Sequence, residues 1–328
     1  MRIRLVWLSV FICGIVAMGM ASCATTDDSS VYQDFGNLVW KADGSGFIGF
    51  FERQLITVLT DSYTLGIFDG NGVLTGTVQT SLTATSNPNI FLNASSSAAV
   101  VQLGANLYKV DVPSGNQTLL ATKVTLLVTS PDQHYAVVTP SLPGSVVSTI
   151  SVLDILASPV REIGKWDVSD VDTRSGIWLK NGTFGLTVNN GAYQINIYDT
   201  VGHLVDSVLN AQQVFHNGNY VAATDELYFL TGGQGVDRLN LTTRTRDHIF
   251  TGEPVDNFDV AATGKIAGIK STSGISVVNT QTFAKKLVTN DDVYWGVFLS
   301  PTGNRLAYIH QQPLNQIRDV HVIDVSLP

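Results

Sequence analysis

Apolar positions in this chain fall into short runs rich in Val, Ile, Leu, Phe and Tyr, divided by clusters of Gly, Pro, Asn, Asp and Ser. That alternation predicts strands and tight turns rather than helices. It is plainest near the C-terminus. There Val293 to Leu299 reads as a strand, Ser300-Pro301-Thr302-Gly303-Asn304 as a turn, and Arg305 to His310 as a second strand. A loop through Pro313 and Asn315 then leads to a third strand, Asp319 to Val325. Beyond the N-terminal leader, no segment combines helix caps with an apolar stripe at 3.6-residue spacing.

The same paragraph of sequence recurs seven times from Leu38 onward. One landmark is an apolar strand ending in Asp or Asn. It appears as Ile67-Phe68-Asp69, Lys109-Val110-Asp111, Val152-Leu153-Asp154, Ile197-Tyr198-Asp199, Arg238-Leu239-Asn240, Val277-Val278-Asn279 and Val322-Ile323-Asp324. Its spacings are 42, 43, 45, 41, 39 and 45 residues. A carboxylate or amide suits the position because it accepts backbone N–H groups two residues on and starts the turn. A second landmark marks the turn between the first two strands of each repeat, as in Asp43-Gly44-Ser45-Gly46, Ser130-Pro131-Asp132 and Asn217-Gly218-Asn219. Gly and Asn tolerate the positive φ such turns need, and Pro presets their entry. Two landmarks at a period of about 42 predict a seven-bladed β-propeller of four-stranded blades, an all-β fold. The seventh repeat stops after three strands, and Val31 to Phe35 is expected to close the ring by completing it as a fourth.

Leu299-Ser300-Pro301-Thr302-Gly303-Asn304-Arg305-Leu306-Ala307-Tyr308 and Thr129-Ser130-Pro131-Asp132-Gln133-His134-Tyr135-Ala136-Val137-Val138 resemble the repeat of TolB-type, WD-repeat-like bacterial propellers. Trp40-Lys41-Ala42-Asp43-Gly44 resembles it more weakly; the other four repeats lack the Ser-Pro or Asp-Gly core. The resemblance implies a protein-interaction platform, with lactonases and other hydrolases as a minority use of the fold. It is carried by a turn, and brings no catalytic residue with it.

The N-terminus changes the picture. Arg2 and Arg4 precede an apolar run, Leu5 to Met20, and Ala21-Ser22 stand directly before Cys23. This has the layout of a secretory signal. Met20-Ala21-Ser22-Cys23 resembles a bacterial lipobox, which implies cleavage after residue 22 and lipidation of Cys23; the alternative is an uncleaved anchor helix. Residues 24–30 would form a polar tether, and residues 31–328 a single domain. Cys13 lies in the leader, so the mature body has no thiol left to pair, as suits an oxidising compartment. Ala24 after the cysteine favours an outer-membrane or surface position in the cell envelope. Residues 23–328 carry 17 basic against 27 acidic side chains, a net charge of −10. An acidic body excludes nucleic acid as the expected partner. With 44% hydrophobic and 14% charged residues, a large core is available and disorder is excluded.

Chemical motifs are few. Gly44-Ser45-Gly46-Phe47-Ile48-Gly49 has the spelling of a dinucleotide loop but runs on into a strand, where the chemistry needs a helix N-terminus. No Gly-x-Ser-x-Gly elbow or His-Glu-x-x-His is present. The six histidines are dispersed, none at metal-ligand spacing. Asp167, Asp170 and Asp172 form the densest carboxylate group; they are weak calcium candidates without the glycine and distal glutamate of a calcium loop. No catalytic residue is assigned and no cofactor is expected. Long segments read as loops are Glu52 to Ser62, Gln79 to Asn89, Thr139 to Ser148, Trp166 to Gly176 and His310 to Arg318. Their apolar residues Leu55, Ile56, Leu59, Leu142, Trp166 and Leu314 are the candidate partner-binding surface. The expected function is a lipid-anchored envelope platform; the alternative is a lactonase-like hydrolase with a divalent metal in the central channel.

Overall fold

The computed structural model describes residues 31–55, 63–78, 90–140, 147–211, 219–232, 235–290, 293–311 and 318–328. They form seven antiparallel sheets in sequence order, arranged as the blades of a propeller. We number them blade 1 (31–78), blade 2 (90–122), blade 3 (124–169), blade 4 (171–209), blade 5 (220–251), blade 6 (255–289) and blade 7 (293–324), counting strands outward from the axis. Six blades have four strands each and pair them in chain order. A 3-10 turn stands at Lys180–Gly182.

The second strand of a blade is covered by neighbours on both sides, and its sequence shows it. Leu306, Ala307, Tyr308 and Ile309 are all buried, as are Leu227, Tyr228, Phe229 and Leu230. A strand with no solvent face reads as a continuous apolar run. Fourth strands have one free edge, and that of blade 3, Arg161–Ser169, carries charges there, Arg161, Glu162 and Lys165. Six apolar clusters fill the seven blade interfaces, one of them running through blades 2, 3 and 4.

The strand-end acids and amides act as their positions predict. Asp69 accepts the backbone N–H groups of Asn71 and Val73 at 2.8 and 2.9 Å. Asp199 accepts those of Val201 and His203, Asn240 those of Thr242 and Thr243, and Asn279 those of Gln281 and Thr282. Asp324 pairs with Arg305 instead.

Ring closure departs from expectation. Val31 to Phe35 does not complete blade 7; it belongs to the first strand of blade 1, Val31–Trp40, and pairs with Leu55 to Phe51. The reason is the length of the second strand, Gly46–Leu55, which offers ten residues of backbone to pair. The register shifts between Phe35 and Leu38, where Gly36 and Asn37 form a bulge that lets one strand follow the other past the bend. Blade 7 thus has three strands among the described residues. Blades 7 and 1 meet face to face through Phe298, Ala307 and Ile309 on one side and Leu38, Trp40, Phe47 and Phe68 on the other. The Trp40 indole N–H donates to the Phe298 carbonyl across this seam at 2.8 Å.

Candidate functional site

The second and third strands of blade 7, Arg305–Gln311 and Arg318–Asp324, form a hairpin with Tyr308 opposite His321 and His310 opposite Asp319. Side chains two apart on a strand share a face, so these four stand together. Intervening residues Ala307, Ile309, Val320 and Val322 face blade 1. Tyr308 is buried in the cluster between blades 6 and 7, and the polar group lies beside it in that cleft.

Within the group, His310 Nδ1 is 3.0 Å from Asp319 Oδ1, and His321 Nε2 is 3.4 Å from Asp319 Oδ2. Tyr308 Oη is 3.2 Å from His321 Nδ1. The imidazoles stack with centroids 4.5 Å apart and planes 23° from parallel. The His310 side chain is 17% exposed, those of Asp319 and His321 37% and 39%. One carboxylate thus joins two imidazoles in a half-buried site that solvent can reach.

The sequence candidates fall elsewhere. Trp166 is not in a loop: it lies on the fourth strand of blade 3, Arg161–Ser169, half-buried against Phe184 and Tyr198 of blade 4. Gly202, with φ +98°, lies so close that a Cβ there would stand 2.4 Å from the indole. That indole is a packing element between blades. Nor do the aspartates converge. Asp167 is exposed on the same strand and accepts the Thr149 hydroxyl at 2.7 Å, Asp170 takes φ 55° in the link between blades, and Asp172 begins blade 4. Among the described residues, the group of at least three metal-ligating side chains with ligand atoms within 4.8 Å of one another is His310, Asp319 and His321. Leu55 ends the second strand of blade 1 opposite Val31. Cys23, Ile56, Leu59, Leu142 and Leu314 lie outside the described residues.

Two further features bear on function. On the first strand of blade 6, Asn257 and Asp259 accept the backbone N–H groups of Val297 and Leu299 from the first strand of blade 7, at 2.9 and 2.7 Å. Desolvation pushes the Asp259 carboxyl up to about 7 against the lowering effect of its bonds from Leu299 and Val260. Part of the residue's surface is accessible, yet protein surrounds its carboxyl, and the surroundings of the charge set desolvation. On the rim, Val201, Leu204, Val205 and Leu209 of blade 4 are each more than half exposed. They precede or lie on the fourth strand, Leu204–Leu209, which has no strand on its far side among the described residues.

These features define a seven-bladed β-propeller, consistent with the resemblance carried by its turns. Solved structures agree. Oligogalacturonate lyase in complex with manganese matches with a TM-score of 0.65 at 10% identity over 91% of each chain. The oligogalacturonate lyase of Vibrio parahaemolyticus matches with a TM-score of 0.66 at 10% identity, over 91% of this chain and 92% of that one. The C-terminal WD40 domain of Sif2 matches with a TM-score of 0.59 at 14% identity, over 90% and 82%. At these identities the likeness is one of fold. No family model and no curated protein matches the chain.

Proposed function

We propose that this propeller is a lipid-anchored platform of the bacterial cell envelope, held at the membrane through Cys23 and docking another envelope protein on its rim. The exposed apolar edge of blade 4 carries the reading. The fourth strands of blades 3, 5 and 6 bear several charges, such as Arg246 and Asp247 on blade 5 or Lys285 and Lys286 on blade 6, and those of blades 1 and 2 each expose a single leucine, whereas Leu204–Leu209 presents Leu204, Val205 and Leu209 beside one aspartate. An unpaired, apolar edge strand is a template for a partner's strand, and soluble proteins usually blunt such edges with charge. The WD40 likeness is compatible with docking, and the Met20-Ala21-Ser22-Cys23 sequence supports the anchor.

In-cell cross-linking of the full-length chain tests this. An envelope protein recovered with the wild type and lost from a Val205→Asp, Leu209→Asp variant supports the platform, and Cys23→Ser should release the chain from the membrane fraction. No partner above background, or capture unchanged by the double substitution, would sink the docking reading. The manganese-bound lyase favours a second reading, a metal-dependent propeller enzyme. The residues here that fit a metal lie on the second and third strands of blade 7, beside the cluster between the last two blades.

A further inference from the structure

We propose that His310, Asp319 and His321 form a binding site for a divalent first-row transition ion of the zinc class, in the cleft between blades 6 and 7. Two imidazole nitrogens and one carboxylate oxygen are the donors such ions prefer, whereas calcium and magnesium take oxygen alone. A tetrahedral ion with ligands about 2.0–2.1 Å away holds them about 3.3 Å from one another. His310 Nδ1 and His321 Nε2 stand 3.0 and 3.4 Å from the two oxygens of Asp319, close to that edge, so a turn of the carboxylate offers one oxygen to both. All three ligand atoms lie within 4.8 Å of one another, so rotations of the two rings bring them onto one centre.

The surroundings fit as well. A histidine that gives one nitrogen to a metal usually donates the other N–H to a fixed acceptor, which sets its tautomer and orientation. Tyr308 Oη, 3.2 Å from His321 Nδ1, is placed as that acceptor and leaves Nε2 facing Asp319. Tyr308 is itself immobilised in the interblade cluster, and the hairpin register fixes the strands that carry all four residues. Three protein ligands leave a fourth position for water or a group from outside, and the partial exposure of Asp319 and His321 gives the ion a way in.

The experiment uses the untagged full chain in detergent, stripped with chelator and then titrated with Zn2+ by calorimetry and with Co2+ by visible absorption. One equivalent should bind, with the cobalt band of an N/O-ligated site and a zinc-dependent rise in melting temperature; Ca2+ should produce neither. His310→Ala, Asp319→Asn and His321→Ala should each weaken binding more than about tenfold, and Tyr308→Phe by about tenfold. His203→Ala and His248→Ala, which remove histidines paired with single carboxylates elsewhere, should leave binding unchanged. Far-UV circular dichroism checks that each variant is folded, and the wild-type stoichiometry stands independently of them. Failure of the wild type to bind zinc or cobalt, or binding that survives in Asp319→Asn and His321→Ala, would overturn the proposal. The trio would then be a hydrogen-bonded stack that secures the hairpin.

Discussion

Among the described residues no strand is exchanged between the last and first blades, so closure rests on the seam between them, and that burden is measurable. Phe47 is fully buried there, stacked on Phe68 with centroids 5.0 Å apart and 15° between planes, and it meets the edge of Trp40 at 5.2 Å. Truncating a buried phenylalanine costs about 3–5 kcal/mol, of which about 0.5–1.5 kcal/mol belongs to the aromatic pairing. Phe47→Ala should therefore lose that amount in urea unfolding followed by far-UV circular dichroism. Phe258→Ala is the reference, since Phe258 is equally buried in the cluster between blades 5 and 6. If the seam is an interface like the others, the two losses agree to within about 1 kcal/mol. Trp40→Phe keeps most of the packing but removes the indole N–H bond to Phe298, which should cost about 1 kcal/mol. A loss below about 1 kcal/mol for Phe47→Ala, beside a full loss for Phe258→Ala, would refute closure by this packing.

Three further outcomes follow from individual residues. Asp259 has a folded-state carboxyl raised to about 7, so the folded state holds its proton more tightly than the unfolded chain does. Its contribution is therefore largest below pH 4 and falls as pH rises through 7. Asp259→Asn, which keeps an acceptor for Leu299, should raise the urea midpoint at pH 8 and change it little at pH 4; an equal shift at both would contradict this. Glu253 behaves oppositely: hydrogen bonds from Lys285, then Ser273 and Ser271, hold its carboxyl down at about 2. Its stabilisation is present above pH 4.5 and lost as pH falls towards 2, so wild type and Glu253→Gln should differ at pH 6 and converge near pH 2. Trp166→Ala should lower stability by about 2–4 kcal/mol, in keeping with a packed indole. A variant of unchanged melting temperature would restore Trp166 to the surface.

What the chain discloses about itself depends on whether the information is local. A strand-end aspartate bonds to its own next few residues, so the period, the turns and the seven blades can all be read from sequence. Closure is different: Val31 to Phe35 is equally apolar whether it joins blade 7 or extends blade 1. The length of Gly46–Leu55 decides between them. Trp166 and the Asp167, Asp170 and Asp172 group were misplaced because the link between blades 3 and 4 is nearly all strand, with Asp170 alone turning between Arg161–Ser169 and Val171–Trp178. Charged residues on that outer strand gave it the composition of a loop.

The histidine pair lay between these extremes, and a signal for it was present. In six blades the Asp or Asn that ends the third strand stands opposite the first residue of the second. The pairs are Asp69 with Gly46, Asp111 with Ala98, Asp154 with Tyr135, Asn240 with Glu226, Asn279 with Ile266 and Asp324 with Arg305. That recurring pair marks the register of the second and third strands, and in blade 7 it is held by the Arg305–Asp324 ion pair. Counting inward from Arg305 and Asp324 sets Tyr308 against His321 and His310 against Asp319. Because side chains alternate, that count also puts all four on one face. Eleven residues of separation hid the histidines from a search for metal-ligand spacing along the chain. Read across the hairpin, they are diagonal neighbours around one carboxylate, and the register that sets Arg305 against Asp324 is also what assembles the site.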